Sequence, residues 1–233
     1  MTTLIIATRN RHKADEIRAI LGSDLHFLTL NDFPDAPKVV EDAPTFSGNA
    51  TKKAVELARS LASGISNFKF QISNPAHVLA DDSGLEVDAL DGAPSVHSAR
   101  FAASEKTSGN SSDSANNEKL LRLLKDVPPE KRTARFRCVI ALTPVLPTKS
   151  GASSPVCCSD ESELQTGLFE GTCEGKIIFA PRGDHGFGYD PLFVPDGFDQ
   201  TFSELGDETK NQISHRSKAL AKLRERFKRN KAG

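Results

Sequence analysis

The feature that most constrains the fold is a short apolar run, Leu4-Ile5-Ile6-Ala7, that breaks off into the polar turn Thr8-Arg9-Asn10 and returns at helical spacing as Ile17, Ile20 and Leu21. A run this short and wholly apolar suits a buried strand, and the spacing after it suits a helix with one covered face. Strand, polar turn and helix in that order open an α/β architecture.

The alternation continues along the chain. A second helix is predicted from about Thr45, with Pro44 before a possible cap and Phe46, Ala50, Ala54, Leu57 and Leu61 on one face, ending near Gly64. Val78-Leu79-Ala80 reads as a strand running into Asp81-Asp82-Ser83-Gly84, which places the acidic pair at a strand end. In the segment that follows, Leu85, Val87 and Ala89 share one face while Glu86 and Asp88 share the other. Residues 103–117 read as a loop. Leu120, Leu121, Leu124 and Val127 mark a helix stopped by Pro128-Pro129. Ala134, Phe136, Cys138, Ile140 and Leu142 alternate with Arg135 and Arg137 as a half-buried strand. The Ser-, Gly- and acid-rich stretch 149–165 reads as a mobile insertion, and strands resume at 167–174 and 176–180. A glycine-rich loop over 183–190 and a closing helix carrying Leu220, Leu223 and Phe227 complete the chain. Without a strict βαβ repeat, these elements favour an α/β fold with a mixed sheet over a barrel.

Composition narrows the class. With 37% hydrophobic residues, 26% charged residues and a formal charge of −1, the chain is neither disordered, collagen-like nor a wholly basic nucleic-acid coat. One domain, or two lobes sharing a sheet, suits 233 residues. Leu4 to Ala7 is too short for a signal h-region or a membrane span, so cytosol is the expected compartment. Cys138, Cys157, Cys158 and Cys173 form no C-x-x-C pair and no zinc spacing.

Three groups of residues could carry chemistry. Thr8, Asn10 and Lys13 lie where a strand turns into a helix, and helix-start N–H groups with a nearby ammonium suit a phosphate; the alternative is that Thr8 or Asn10 simply caps the helix. No G-x-x-x-x-G-K-[ST] occurs. Glu41, Asp81 and Asp82 supply carboxylates of the kind that join Mg²⁺ to a nucleotide, with a plain turn as the alternative for Asp-Asp-Ser-Gly. Asp81 and Asp82 are neighbours in extended chain, so they face opposite ways and do different jobs. Lys52 and Lys53 project about 100° apart on the second helix, so one can face a cleft while the other faces water. Phe187-Gly188-Tyr189-Asp190 with Lys210, His215 and Arg216 could stack on a base and read its edge; core packing and a surface pair are the alternatives.

The joint order of these segments is specific. Ala7-Thr8-Arg9-Asn10-Arg11-His12-Lys13, Glu41 followed by Thr45-Phe46 and Asn49-Ala50, Ala80-Asp81-Asp82-Ser83-Gly84-Leu85, Gly186-Phe187-Gly188-Tyr189-Asp190-Pro191 and Ile213-Ser214-His215-Arg216 together resemble the inosine/xanthosine triphosphate pyrophosphatase family, essentially end to end. Arg9 stands where that family commonly has Gly. The resemblance implies an elongated, two-lobed α/β protein with a long central mixed sheet and an active site in the inter-lobe cleft. It also implies a homodimer, a requirement for Mg²⁺, and no membrane or nucleic-acid partner. The implied reaction is hydrolysis of ITP, dITP and XTP to the monophosphate and pyrophosphate. By motif match, Thr8, Arg9, Asn10, Arg11, His12 and Lys13 would hold phosphates, Glu41 and Asp82 would serve the metal, and Asp82 and Lys53 would be catalytic. Ser83, Phe187, Gly188, Tyr189, Asp190, Lys210, His215 and Arg216 would bind substrate. The run from Arg216 to Lys231, eight basic side chains against Glu225, supports a rival reading as an RNA-binding helix or, more plainly, a solvated one.

Overall fold

The computed structural model describes residues 2–63, 76–103, 109–146 and 165–232. Six strands, β1 (Thr3–Ile6), β2 (His26–Thr29), β3 (Ala76–Val87), β4 (Thr133–Pro144), β5 (Gly167–Ile177) and β6 (Phe193–Pro195), form one sheet in the order β2-β1-β3-β4-β5-β6. β1 runs parallel to both β2 and β3, while β6 runs antiparallel to β5, so the sheet is mixed. Among the described residues five α-helices accompany it: α1 (Arg11–Leu21), α2 (Phe46–Ala62), α3 (Asp113–Leu123), α4 (Phe202–Ile213) and α5 (His215–Ala232). The expected α/β class with a mixed sheet is borne out.

Local physics accounts for most of these elements. β1 is buried at every position, as its unbroken apolar run requires. Thr45 caps α2 by accepting the Gly48 N–H, and the stripe Phe46, Ala50, Ala54, Leu57 and Leu61 is buried as the spacing predicts. In α5, Leu220 and Leu223 are buried and Phe227 is half-buried.

Several expectations need correction. β3 does not turn at Asp81-Asp82-Ser83-Gly84 but runs through it as a continuous 12-residue strand. Pairing within the sheet outweighs the turn preference of Asp, Ser and Gly, since strand propensity yields to context. The strand then stops at Val87, and Ala89 is exposed in a 3₁₀ turn over Asp88–Leu90. The predicted loop 103–117 contains the start of α3, whose cap is Ser112. That helix ends at Leu123, well before Pro128, and Pro129–Lys131 form a 3₁₀ turn. Arg132 holds the departing chain, donating to the carbonyls of Leu124, Val127 and Ile178. β4 alternates only in its first half and is buried on both faces from Cys138 to Thr143. β5 is one strand where two were expected. β2, β6 and α4 were not anticipated: the two strands are only 4 and 3 residues long, but α4 carries a capping box, Thr201 with Glu204, that is visible in sequence. Of the insertion expected at 149–165, residues 149–164 lie outside the described residues, Cys157 and Cys158 among them, as does Gly64.

The chain divides into two compact units, residues 1–81 with 140–169, and residues 82–139 with 170–233. The first contains β1, β2, α1 and α2. In the second, Phe136 is the centre of an aromatic cluster, edge-on to Phe193 at 4.7 Å and stacked on the His215 ring at 4.8 Å. Burial pushes the Cys173 thiol up to about 11, and it packs there as an apolar side chain. On the more open face of the same unit, Arg135 bridges Asp88 and Glu174, and Arg137 bridges Glu86 and Glu170. The Thr133 hydroxyl, with Arg135 beside it, holds the Asp88 carboxyl below the usual range.

α5 crosses β5 with almost no clearance. A Cβ on Gly171 would come within 2.1 Å of the His215 carbonyl oxygen and 2.6 Å of the Ala219 nitrogen, both backbone atoms that no rotamer change can move. Gly171→Ala is therefore expected to lift the start of α5 and cost about 3 kcal/mol in urea unfolding. A loss under about 0.5 kcal/mol would show that the contact is dispensable.

Candidate active site

In the first unit, the turn after β1 is organised by its own polar side chains. The Thr8 hydroxyl accepts the Asn10 N–H at 3.0 Å, and the Asn10 side-chain oxygen Oδ1 accepts the Lys13 N–H at 3.3 Å, so Asn10 is the cap of α1. Lys13 is thereby placed one turn into the helix, and its ammonium meets the buried Asp81 carboxylate at 2.5 Å. Arg9 reaches the Pro34 carbonyl at 3.5 Å, while Arg11 is 90% exposed and 3.6 Å from Asp15. His12 is exposed beside it. Among the residues read as phosphate-binding, Lys13 is held against a carboxylate that the sequence also singled out.

Lys53 extends from α2 to the same residue of β3. Its ammonium donates to the Asp81 carbonyl at 3.1 Å and lies 3.2 Å from the Glu41 carboxylate. Lys52, one helical step away, turns instead to Asp42 at 2.7 Å, which lowers the Asp42 pKa and raises that of Lys52. The predicted divergence of the two lysines is what α2 shows. Glu41 lies in a segment without regular structure. Asn49, buried on α2, fixes that segment by accepting the Ala43 N–H at 2.9 Å. Reading the sequence for charge alone missed Asn49, whose signal was a polar residue on the apolar stripe.

In the second unit, Asp82 is buried. Ser83 follows, and its hydroxyl accepts from the Arg216 guanidinium at 3.1 Å. Arg216 is 1% exposed and His215 is 4% exposed, so the pair is not a surface feature of a helix start. Ser214 caps α5 by accepting the Ser217 N–H, and the positive end of the helix dipole joins the buried guanidinium at this place. Such a site favours a ligand rich in hydrogen-bond acceptors.

Lys210, from α4, is equally buried and donates to the Asp190 carboxylate at 2.6 Å. The same carboxylate oxygen accepts the Phe187 N–H at 2.9 Å, and the ammonium lies 4.5 Å from the centre of the Phe187 ring. Asp190 thus ties the aromatic loop to α4. Tyr189 does otherwise: it is packed in the core, with its hydroxyl donating to the Ser98 carbonyl at 2.9 Å. Burial raises its pKa, which keeps it a donor. For Tyr189 the core-packing alternative holds. In α5, Lys218 and Lys222 donate to the β5 carbonyls of Thr172 and Glu170, so two of the basic side chains behind the RNA reading are occupied by the sheet.

The donor set suits a hard cation that arrives with its substrate. Among the described residues no group of three or more His, Cys, Asp or Glu could hold a metal ion, and Mg²⁺ commonly takes one or two carboxylates together with substrate phosphates. Of the two carboxylates expected to serve a metal, Glu41 belongs to the first unit and Asp82 to the second. No helix among the described residues is long and apolar enough to cross a membrane.

Known proteins resemble this chain along nearly its whole length. Residues 4–226 match the model of the Ham1 family. A dITP/XTP pyrophosphatase of Geobacter sulfurreducens is 47% identical over 226 residues, spanning 97% of this chain and 96% of its own length. Among solved structures, the Staphylococcus aureus Ham1 protein superposes with a TM-score of 0.72 at 34% identity, covering 98% of this chain and 99% of that one. A HAM1 protein from Coxiella burnetii gives 0.73 at 30% identity, covering 98% and 100%.

Proposed function

The chain belongs to the Ham1 family, and from that membership we infer its reaction, hydrolysis of non-canonical purine nucleoside triphosphates to the monophosphate and pyrophosphate. It is a nucleoside triphosphate pyrophosphatase, and its substrates are purine triphosphates of the dITP and XTP kind. The observation that carries the reading beyond family membership is the burial within the second unit of four directional polar groups, Arg216 and His215 at the start of α5 and Lys210 with Asp190 beside Phe187.

Lys13 and Lys53 are assigned to the triphosphate. Both are already held against carboxyl or carbonyl oxygens, so they are oriented before substrate arrives, and their charge offsets the repulsion that a nucleophile meets near the α-phosphorus. Asp82 is assigned the attacking water, as base or as the group that orients it, because its carboxylate is buried and hence poorly screened. Glu41 and Asp82 would hold Mg²⁺. When bound, that ion supplies Lewis-acid stabilisation of charge on the phosphate oxygens. The alternation of Lys13, Asp81, Lys53 and Glu41 keeps the first unit's contribution near neutrality until phosphate displaces one of the pairings.

Selection of the base follows from donor chemistry. Inosine and xanthosine present a 6-oxo acceptor where adenine presents a 6-amino donor. Arg216 carries only donors, and Lys210 likewise. Adenine would bring donor against donor, and a buried polar group left unpaired discriminates strongly. Ser83, oriented by Arg216, and Phe187, backed by Lys210, complete the proposed base site. Homodimer formation and residence in the cytoplasm accompany this proposal, the first checked by light scattering on the purified protein.

The deciding experiment is a panel of ITP, dITP, XTP, ATP, GTP and a modified pyrimidine triphosphate with Mg²⁺, with the phosphate product identified. Pyrophosphate release and at least about 100-fold preference in kcat/KM for ITP over ATP are expected. Orthophosphate release, or equal turnover across the panel, would overturn the assignment.

A further inference from the structure

The proposed base loop is held in place from an element that carries none of its recognition groups. Gly188, between Phe187 and Tyr189, has φ +65, a conformation that side-chain residues rarely take, and its backbone is fastened at both ends by α3. The Asp113 carboxylate accepts the Gly188 N–H at 2.7 Å, and the Asn117 side-chain amide donates to the Gly188 carbonyl at 3.0 Å. Asp113 and Asn117 are four apart, so they share one face of α3 one turn apart. The adjacent face holds a different segment, where Asn116 accepts the Ala102 N–H at 2.8 Å and the Lys119 ammonium donates to the Phe101 carbonyl.

The backbone around Phe187 is therefore over-determined. Its own N–H is taken by Asp190, the next N–H by Asp113 and the next carbonyl by Asn117. With the main chain fixed on both sides of its Cα, the direction in which the Phe187 side chain leaves the loop is fixed, and the ring stands 4.5 Å from the Lys210 ammonium, whose contact limits its remaining torsions. Asn117 is not the residue that stability alone would select here. Its side-chain carbonyl oxygen is buried and makes no hydrogen bond, a cost that an apolar residue of similar size would not carry. What it supplies is one directed donor to one glycine.

We propose that Asp113 and Asn117 are specificity-positioning residues, whose hold on both polar groups of Gly188 sets the angle of the Phe187 ring and, through it, the discrimination between 6-oxo and 6-amino purines. This rests on the reading of residues 187–190 as part of the base site. The two residues touch no substrate. They act through the loop, as a misplacement of about 1 Å is enough to cost orders of magnitude in a positioned site.

The test uses Asn117→Leu, Asp113→Ala and Asp113→Asn in the full chain, with Phe187→Leu as the direct comparison. For Asn117→Leu and Asp113→Ala, the ratio of kcat/KM for ITP over ATP is expected to fall about tenfold, carried by a higher KM for ITP with kcat nearly unchanged. Asp113→Asn keeps an acceptor for the Gly188 N–H and is expected to retain the ratio. Melting temperature separates selectivity from simple damage. An unchanged ratio overturns the proposal, as does an equal loss on both nucleotides that follows a lowered melting temperature. If Phe187→Leu alters KM for ITP while the α3 variants do not, only the positioning role fails. If Phe187→Leu is also silent, the base-site reading fails with it.

Discussion

Asp82→Asn is expected to lower kcat for ITP by about 10³-fold or more while nucleotide affinity stays within a few-fold of the parent. The substitution preserves shape and removes one buried negative charge, so whatever the carboxylate does for water or metal is lost and packing is kept. Its neighbour supplies the control. Asp81→Asn removes the partner of Lys13, and is expected to raise KM with kcat within about tenfold. Kinetics with pyrophosphate detection at saturating Mg²⁺, together with equilibrium nucleotide binding, checks both. A kcat within tenfold of the parent for Asp82→Asn would remove it from the chemistry. A large kcat loss in Asp81→Asn alone would exchange the two roles.

The second large effect concerns stability. Lys210→Met leaves the Asp190 carboxylate, 3% exposed, without its ammonium, and a buried charge stripped of its partner costs about 3–5 kcal/mol. The Phe187 N–H still donates to Asp190, but a neutral N–H does not replace an ion at 2.6 Å. Adding Asp190→Asn to Lys210→Met neutralises the stranded charge and is expected to recover part of that loss, since exchanging a buried ion pair for neutral groups is often far milder than breaking it. Urea unfolding of the two single variants and the double variant measures the coupling. If Lys210→Met unfolds within about 1 kcal/mol of the parent, the pair contributes specificity and little stability.

Much of the site was legible before the fold. The divergence of Lys52 and Lys53 follows from the helical repeat, local geometry that the tertiary structure leaves intact. Thr45 announced its helix by type and position. Phe187 and Tyr189 could not be told apart in the same way, since both are aromatic residues on a glycine-rich loop. Only the path of the Ser95–Arg100 segment, which brings the Ser98 carbonyl to the Tyr189 hydroxyl, commits one of them to the core. Asp113 and Asn117 escaped notice because their stretch was read as loop, although Ser112-Asp113 followed by Asn117 four residues later is the pattern of a capped helix with one polar face.

The sequence by itself determined the α/β class, the capped starts of α1 and α2, the buried stripe of α2 and the order of motifs that identifies the family. Each of these depends on residues a few positions apart, where backbone periodicity dictates who is neighbour to whom. The tertiary structure decided that β3 continues through two aspartates, that His215 and Arg216 are buried, and that α3 grips Gly188. Those outcomes join residues 68, 75 and 133 positions apart, in Lys13 with Asp81, Asp113 with Gly188 and Ser83 with Arg216. Contacts at such separations are set by which surfaces the folded chain must cover. Burial then turned ordinary charged side chains into fixed, poorly screened groups, and no local pattern records that change.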